Sequence, residues 1–239
     1  MGGRSHYINM RIGAITLRER TPHEIVLFAI YLYLSGLSLR QTARTLKALG
    51  INRSHEAVRK WVHKLAEKAK ELLFNERASV AIVDETAVNV GGQVVWLWVA
   101  IEPERRAVLA LLLTRTRNAL VAYSLFMDLK RRGVRHVITD GAAWYPLAAR
   151  WAKIGHSVVR GGVRSYVERF IGTIKDRLRG FDCYFPSPKH LLESALKLVY
   201  AWAGFYNYVR VHLSFDEPPR PLPGATEFAR LKILAWGGA

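Results

Sequence analysis

Apolar positions fall into two regimes along the chain. Between Ile25 and Phe74 they recur at three- and four-residue spacing, and from about Ser79 they gather into short runs broken by turn residues. The first regime predicts three helices. Thr21-Pro22-His23-Glu24 reads as a capping box with Pro at the first helical position, and the apolar stretch behind it runs to Leu34, where Ser35-Gly36 ends the helix. Ser38-Leu39-Arg40-Gln41 is a second capping box, opening a helix that runs to about Leu49. Gly50-Ile51-Asn52 turns the chain, and Ser54 caps a third helix from His55 to about Phe74. Ala57, Val58, Trp61, Val62 and Leu65 share one face of that helix; His55, Arg59, Lys60, His63 and Lys64 line the other.

The second regime alternates strands and helices. Val80-Ala81-Ile82-Val83 is an apolar run ending in Asp84-Glu85. Val88 leads to the hairpin signal Gly91-Gly92, and Gln93 to Ile101 returns as a strand. Ala107 to Leu113 makes a third strand, Asn118 to Arg132 a helix, and Val134 to Thr139 a fourth strand ending in Asp140. A helix over Ala142 to Lys153, a short strand over His156 to Val159 and a helix over Ser165 to Arg179 follow. Three strands, helix, strand, helix, strand, helix is the order of an RNase H-like mixed sheet flanked by helices. The fold class expected is thus α/β, preceded by a small all-α unit. The chain divides into a leader over residues 1–20, a helical domain over 21–76, an RNase H-like domain over 79–222 and a C-terminal tail over 223–239, where a terminal packing helix is one reading.

Charge changes the picture. Thirty-six Lys and Arg against nineteen Asp and Glu leave +17, spread along the whole chain. Such a field favours a polyanion, because neutralising phosphates releases condensed counterions. Ribosomal and membrane-surface proteins carry similar charge. In this light the second and third helices, joined by a short Gly-containing turn, have the pattern of a helix-turn-helix DNA reader. Arg53, Arg59, Lys60 and Lys64 are its candidate contacts, and an ordinary helical hairpin with a solvated face fits the same residues. The lone cysteine, Cys183, excludes an internal disulfide and a cysteine-rich zinc site. No run is long enough to span a bilayer and no signal-peptide pattern opens the chain, so a cytoplasmic location, associated with the nucleoid, is expected. Few Asn, Gln, Met and Cys point faintly to a thermophilic source.

Three acids carry the candidate chemistry. In the RNase H topology the strands ending in Asp84 and Asp140 are neighbours, and the closing helix brings Glu168 to the same edge. Val167, Phe170, Ile171, Ile174 and Leu178 form that helix's apolar stripe, with Glu168, Lys175 and Arg179 aligned along its border. Three carboxylates there can hold two hard cations, and metals about 3.5–4 Å apart suit phosphoryl transfer. Taken singly, each acid also reads as a turn former, a helix cap or a surface ion-pair member.

The chain resembles insertion-sequence DDE transposases, relatives of the retroviral integrases, over Leu37 to about Leu222. The resemblance rests on Leu37-Ser38-Leu39-Arg40 with Ser54 to Val62, on Val83-Asp84-Glu85-Thr86, and on Thr139-Asp140-Gly141 with Trp144-Tyr145-Pro146. Tyr166-Val167-Glu168-Arg169-Phe170 running on to Lys175 and Arg177-Leu178-Arg179, and Phe205-Tyr206-Asn207-Tyr208 with Arg210 and His212, complete it. It implies that Asp84, Asp140 and Glu168 bind two magnesium ions, manganese substituting, with Lys175 beside DNA; Arg179, aligned with Glu168 where the helix would meet a substrate groove, is a further candidate DNA contact. It also implies metal-dependent strand cleavage and transfer at terminal repeats into target DNA, by a homodimer or larger synaptic assembly. Two departures stand out: Asp140 and Glu168 lie closer in sequence than is usual, the shortening falling around His156 to Val163, and Val211 replaces a usual Pro. A DNA-binding relic acting as a repressor, or another RNase H-like nuclease, are the competing readings. Tyr145 and Trp144 are read as core aromatics before DNA contacts, and Glu85, facing the opposite side of its strand from Asp84, as the poorest ligand candidate.

Overall fold

The computed structural model describes residues 21–177 and 191–237. Three helices come first: α1 (His23–Leu34), α2 (Leu39–Ala48) and α3 (His55–Phe74). Ser38 closes the expected capping box with Gln41, and the Ser54 side chain accepts from the Ala57 amide. The box expected at Thr21 does not form. Pro22 caps α1 without a side-chain bond, and the Thr21 hydroxyl is engaged elsewhere, accepting from Arg53 Nε at 2.7 Å.

A five-stranded sheet follows in the order β3-β2-β1-β4-β5, with β1 (Val80–Val90), β2 (Gln93–Ile101), β3 (Val108–Thr114), β4 (His136–Thr139) and β5 (Gly155–Val158). The first three strands are antiparallel, and β1, β4 and β5 run parallel. Gly91 and Gly92 both take positive φ, as a two-residue hairpin turn between β1 and β2 requires. Their geometry keeps β1 paired as far as Val90, so Asp84 lies inside the strand and does not end it as the sequence pattern predicts.

Helices α4 (Ala119–Arg131) and α5 (Trp144–Ala152) cover one face of the sheet, over Ala81, Val83, Trp98, Ala100 and Leu109. The other face carries α6 (Ser165–Arg177), α7 (Leu191–Tyr208) and α8 (Glu227–Trp236) together with α1, α2 and α3 in one continuous core. The sequence pattern does not announce α7. It is apolar nearly all round, the composition of a buried central helix. The segment over 223–239 holds α8, capped by Thr226, with Leu231, Leu234 and Ala235 buried.

The Phe205-to-His212 signature closes the fold. Asn207 is fully buried; its amide accepts from the Val108 N–H at 2.8 Å and donates to the Val108 carbonyl at 2.9 Å, satisfying the start of edge strand β3. His212 packs edge-on to Tyr206 at 4.3 Å. Burial, reinforced by Arg210 and Arg106, lowers its pKa to about 4. Burial, with Arg59 and Lys197 beside it, lowers His63 to about 4 as well. Both are depressed relative to the unfolded chain, so on acidification the unfolded state binds protons first. Stability is expected to fall as pH drops from about 6.5 to about 4. Urea midpoints across that window check this, and His212→Gln flattens the slope; an unchanged slope in that variant would refute the assignment to His212.

Candidate active site at the β1–β4 edge

Ile82 of β1 pairs in parallel with Ile138 of β4. Continuing that register by two residues sets Asp84 beside Asp140, just past the end of β4. Alternation along the strand puts Asp84 on the face of Ile82, toward α6, and Glu85 on the face of Val83, toward α5. Asp84 is buried, with its Oδ1 accepting from the Glu85 amide at 3.0 Å. Asp140 Oδ1 accepts from the Ala142 amide at 2.9 Å.

Helix α6 is pinned to the sheet through Val167, Phe170, Ile171 and Ile174, with Phe170 packed on Trp202 and Tyr206. Glu168, in its first turn, stands at the rim of that contact. The compact turn at Gly161-Gly162 leads into a short 3-10 turn (Gly162–Arg164) that delivers Arg164 to the site. Arg164 Nη2 lies 3.3 Å from Asp84 Oδ2 and 3.0 Å from Glu168 Oε1. One guanidinium thus joins the first and third acids across a sequence separation no motif reveals, while its buried Nε has no partner among the described residues. Burial raises the Asp84 pKa, and Arg164 opposes that rise, as expected for a carboxylate out of water beside a cation.

The donor set suits a hard cation: carboxylate oxygens only, two of the groups already sharing one positive partner. With Arg164 in place, no described group of three or more acids, histidines or cysteines stands ready to enclose a metal.

On the opposite face, Glu85 accepts from the Tyr145 hydroxyl and lies 3.6 Å from Arg117. Tyr145 is fully buried, a core aromatic as expected, stacked on Phe126 and edge-on to Trp98. Burial also raises the Glu85 pKa.

A family model described as a DDE domain, of the IS240-type transposases, matches residues 78–166, which run from the start of β1 into α6. An uncharacterized protein of Methanocaldococcus jannaschii is 31% identical over 195 residues, covering 81% of this chain and 90% of that protein. The chain belongs to the insertion-sequence DDE transposases. Among solved structures, a chain of the simian T-cell lymphotropic virus intasome matches at a TM-score of 0.47 and 18% identity over 64% of this chain, which spans 59% of that one. The magnesium-bound HTLV-2 integrase catalytic core matches at 0.45 and 19%, covering 60% of this chain and 95% of that one. The BIV integrase core matches at 0.43 and 22%, covering 59% and 90%.

In this transposase the remaining sequence candidates are dispersed. Arg53 is tied to Thr21, and Arg59 pairs with Glu56 at 2.8 Å. Lys60 is exposed and Lys64 half-buried on α3. Lys175 is half-buried, two turns beyond Glu168 on α6. Arg179, Leu178 and Cys183 lie outside the described residues, as does the leader. The sequence reading missed Arg40, Arg44 and Lys47, which line a surface cavity of about 260 Å³ with Arg53 and His55 between α2 and the start of α3. Their i, i+4, i+7 spacing on α2 was a usable signal. It also missed Arg164 and Arg117. No described helix is long and apolar enough to cross a membrane.

Proposed function

We propose that this chain catalyses divalent-metal-dependent DNA strand cleavage and strand transfer at the ends of its own insertion sequence. The observation that carries the reading is the meeting of Asp84 and Glu168 on one cation, with Asp140 set beside Asp84 by the β1–β4 register. Asp84, Asp140 and Glu168 would hold two magnesium ions, manganese substituting. Those ions, when bound, activate the attacking oxygen and stabilise the leaving one. The protein's part is to fix the three acids on a rigid sheet edge and helix, and to yield Arg164 from between two of them. Lys175, two turns along the same helix, would contact the DNA.

The α2–α3 segment supports a helix-turn-helix role, with Arg59, Lys60 and Lys64 outward and the Arg40, Arg44, Lys47 cavity beside them. Terminal repeats and target DNA are the substrates under this reading, and paired ends call for a dimer or larger assembly. The test is incubation of purified chain with Mg²⁺ or Mn²⁺ and duplexes carrying the element's ends. Cleaved or joined strands are expected, and their complete absence sinks the proposal.

The position of Arg164 gives a separate expectation. Arg164→Ala removes a positive charge that competes for the same oxygens. Manganese affinity of the free protein should rise, by about tenfold for a unit charge this close after screening. Calorimetry reads it directly, and an unchanged or weaker affinity would show that Arg164 orders the ligands without competing for them.

A further inference from the structure

We propose that Arg117 and the two indoles around it form a phosphodiester-binding site on the sheet face opposite the three acids. The inference rests on reading the chain as one that handles DNA. Arg117 lies between β3 and α4, and its guanidinium carbon sits 3.9 Å from the Trp96 ring centroid and 4.5 Å from that of Trp144. Two indoles thus lie against one guanidinium, which restricts its motion and leaves its N–H donors as the reactive surface. Among the described residues Glu85 is the one carboxylate paired with Arg117, at 3.6 Å, and the Arg117 side chain remains 37% exposed. Glu85 is itself committed to the Tyr145 hydroxyl.

The location connects this fork to the acid site. Trp96 pairs across the sheet with Ala87, three residues beyond Asp84 on β1, and Trp144 opens α5, four residues beyond Asp140. Trp96 and Trp144 therefore tie Arg117 to the two strands and the turn that carry Asp84 and Asp140. A rigid donor fork with an open edge matches two oxygens of one phosphate, and lysine at the end of a flexible stem does not reproduce it.

The test uses the full chain and a fluorescent duplex of arbitrary sequence, because a phosphate contact reads no bases. Arg117→Ala should weaken binding about tenfold and make the slope of log affinity against log salt shallower by about one. Arg117→Lys should keep the salt slope while recovering only part of the affinity. Unchanged affinity and slope in Arg117→Ala, with a lowered melting temperature, would overturn the proposal and leave Arg117 as a tether between β2 and α5. Lost affinity at an unchanged slope would also overturn it, because no phosphate is then involved. If the wild-type chain never joins strands while Arg117→Ala still shows the shallower slope, the strand-transfer reading fails and this site stands.

Discussion

Asp140→Asn is expected to leave duplex binding intact and to lower metal-dependent strand joining by roughly a thousandfold or more, equivalent to about 4 kcal/mol of transition-state stabilisation. The substitution is nearly isosteric. The oxygen that accepts from the Ala142 amide at 2.9 Å is available in asparagine too, so the turn after β4 keeps its bond. What is lost is the negative charge beside Asp84, at the place where a hard cation needs anionic oxygen. DNA affinity should persist, because it is drawn from a field of +17 spread along the chain. Joining assays and binding isotherms on the same preparation separate the outcomes. Joining within tenfold of wild type would remove Asp140 from the proposed chemistry. A wild-type chain that binds but joins nothing would support the repressor reading instead.

The legible parts of the fold were those fixed by local signals. Ser38 with Gln41, Ser54 with Ala57, and Gly91-Gly92 each settle their geometry within four residues, and all three formed as predicted. Thr21 shows where local reasoning ends: its hydroxyl had a more distant partner in Arg53, and the capping box gave way. That Asp84 and Asp140 would lie side by side was legible only through the RNase H-like topology, in which β1 and β4 are neighbours, and that pairing is present. Arg164 was not, since it acts through an ion pair to Asp84 eighty residues away that leaves no periodic trace. Nor was the cluster of Arg117 with Trp96 and Trp144, assembled from β2, the β3–α4 loop and α5. Helix α7 escaped for the opposite reason. From Ala201 to Tyr208 every residue is buried, so this half has no polar face to reveal a helical period.

That burial gives the largest expected effect on stability, at Gly204 of α7. A methyl group built there would collide with the Ala69 side chain of α3, lie 3.3 Å from the Ala69 Cα and sit 3.7 Å from Leu234 Cδ2. The first two contacts involve atoms fixed to a helix backbone, so relief requires α3 and α7 to move apart. Gly204→Val should therefore cost about 3 kcal/mol and lower the melting temperature by roughly 6–12 °C for a chain of this size. Helix propensity works the other way, since alanine outranks glycine by about 1 kcal/mol, so the sign of a loss in Gly204→Ala is informative by itself. The decisive experiment transfers the methyl: Gly204→Ala combined with Ala69→Gly restores the volume of the seam. Recovery of most of the lost stability, as a coupling energy beyond the sum of the single changes, would show that α3 and α7 meet through this contact and that the N-terminal helices are built into the catalytic core. Additive losses would mean that the seam is loose and the helical segment packs independently.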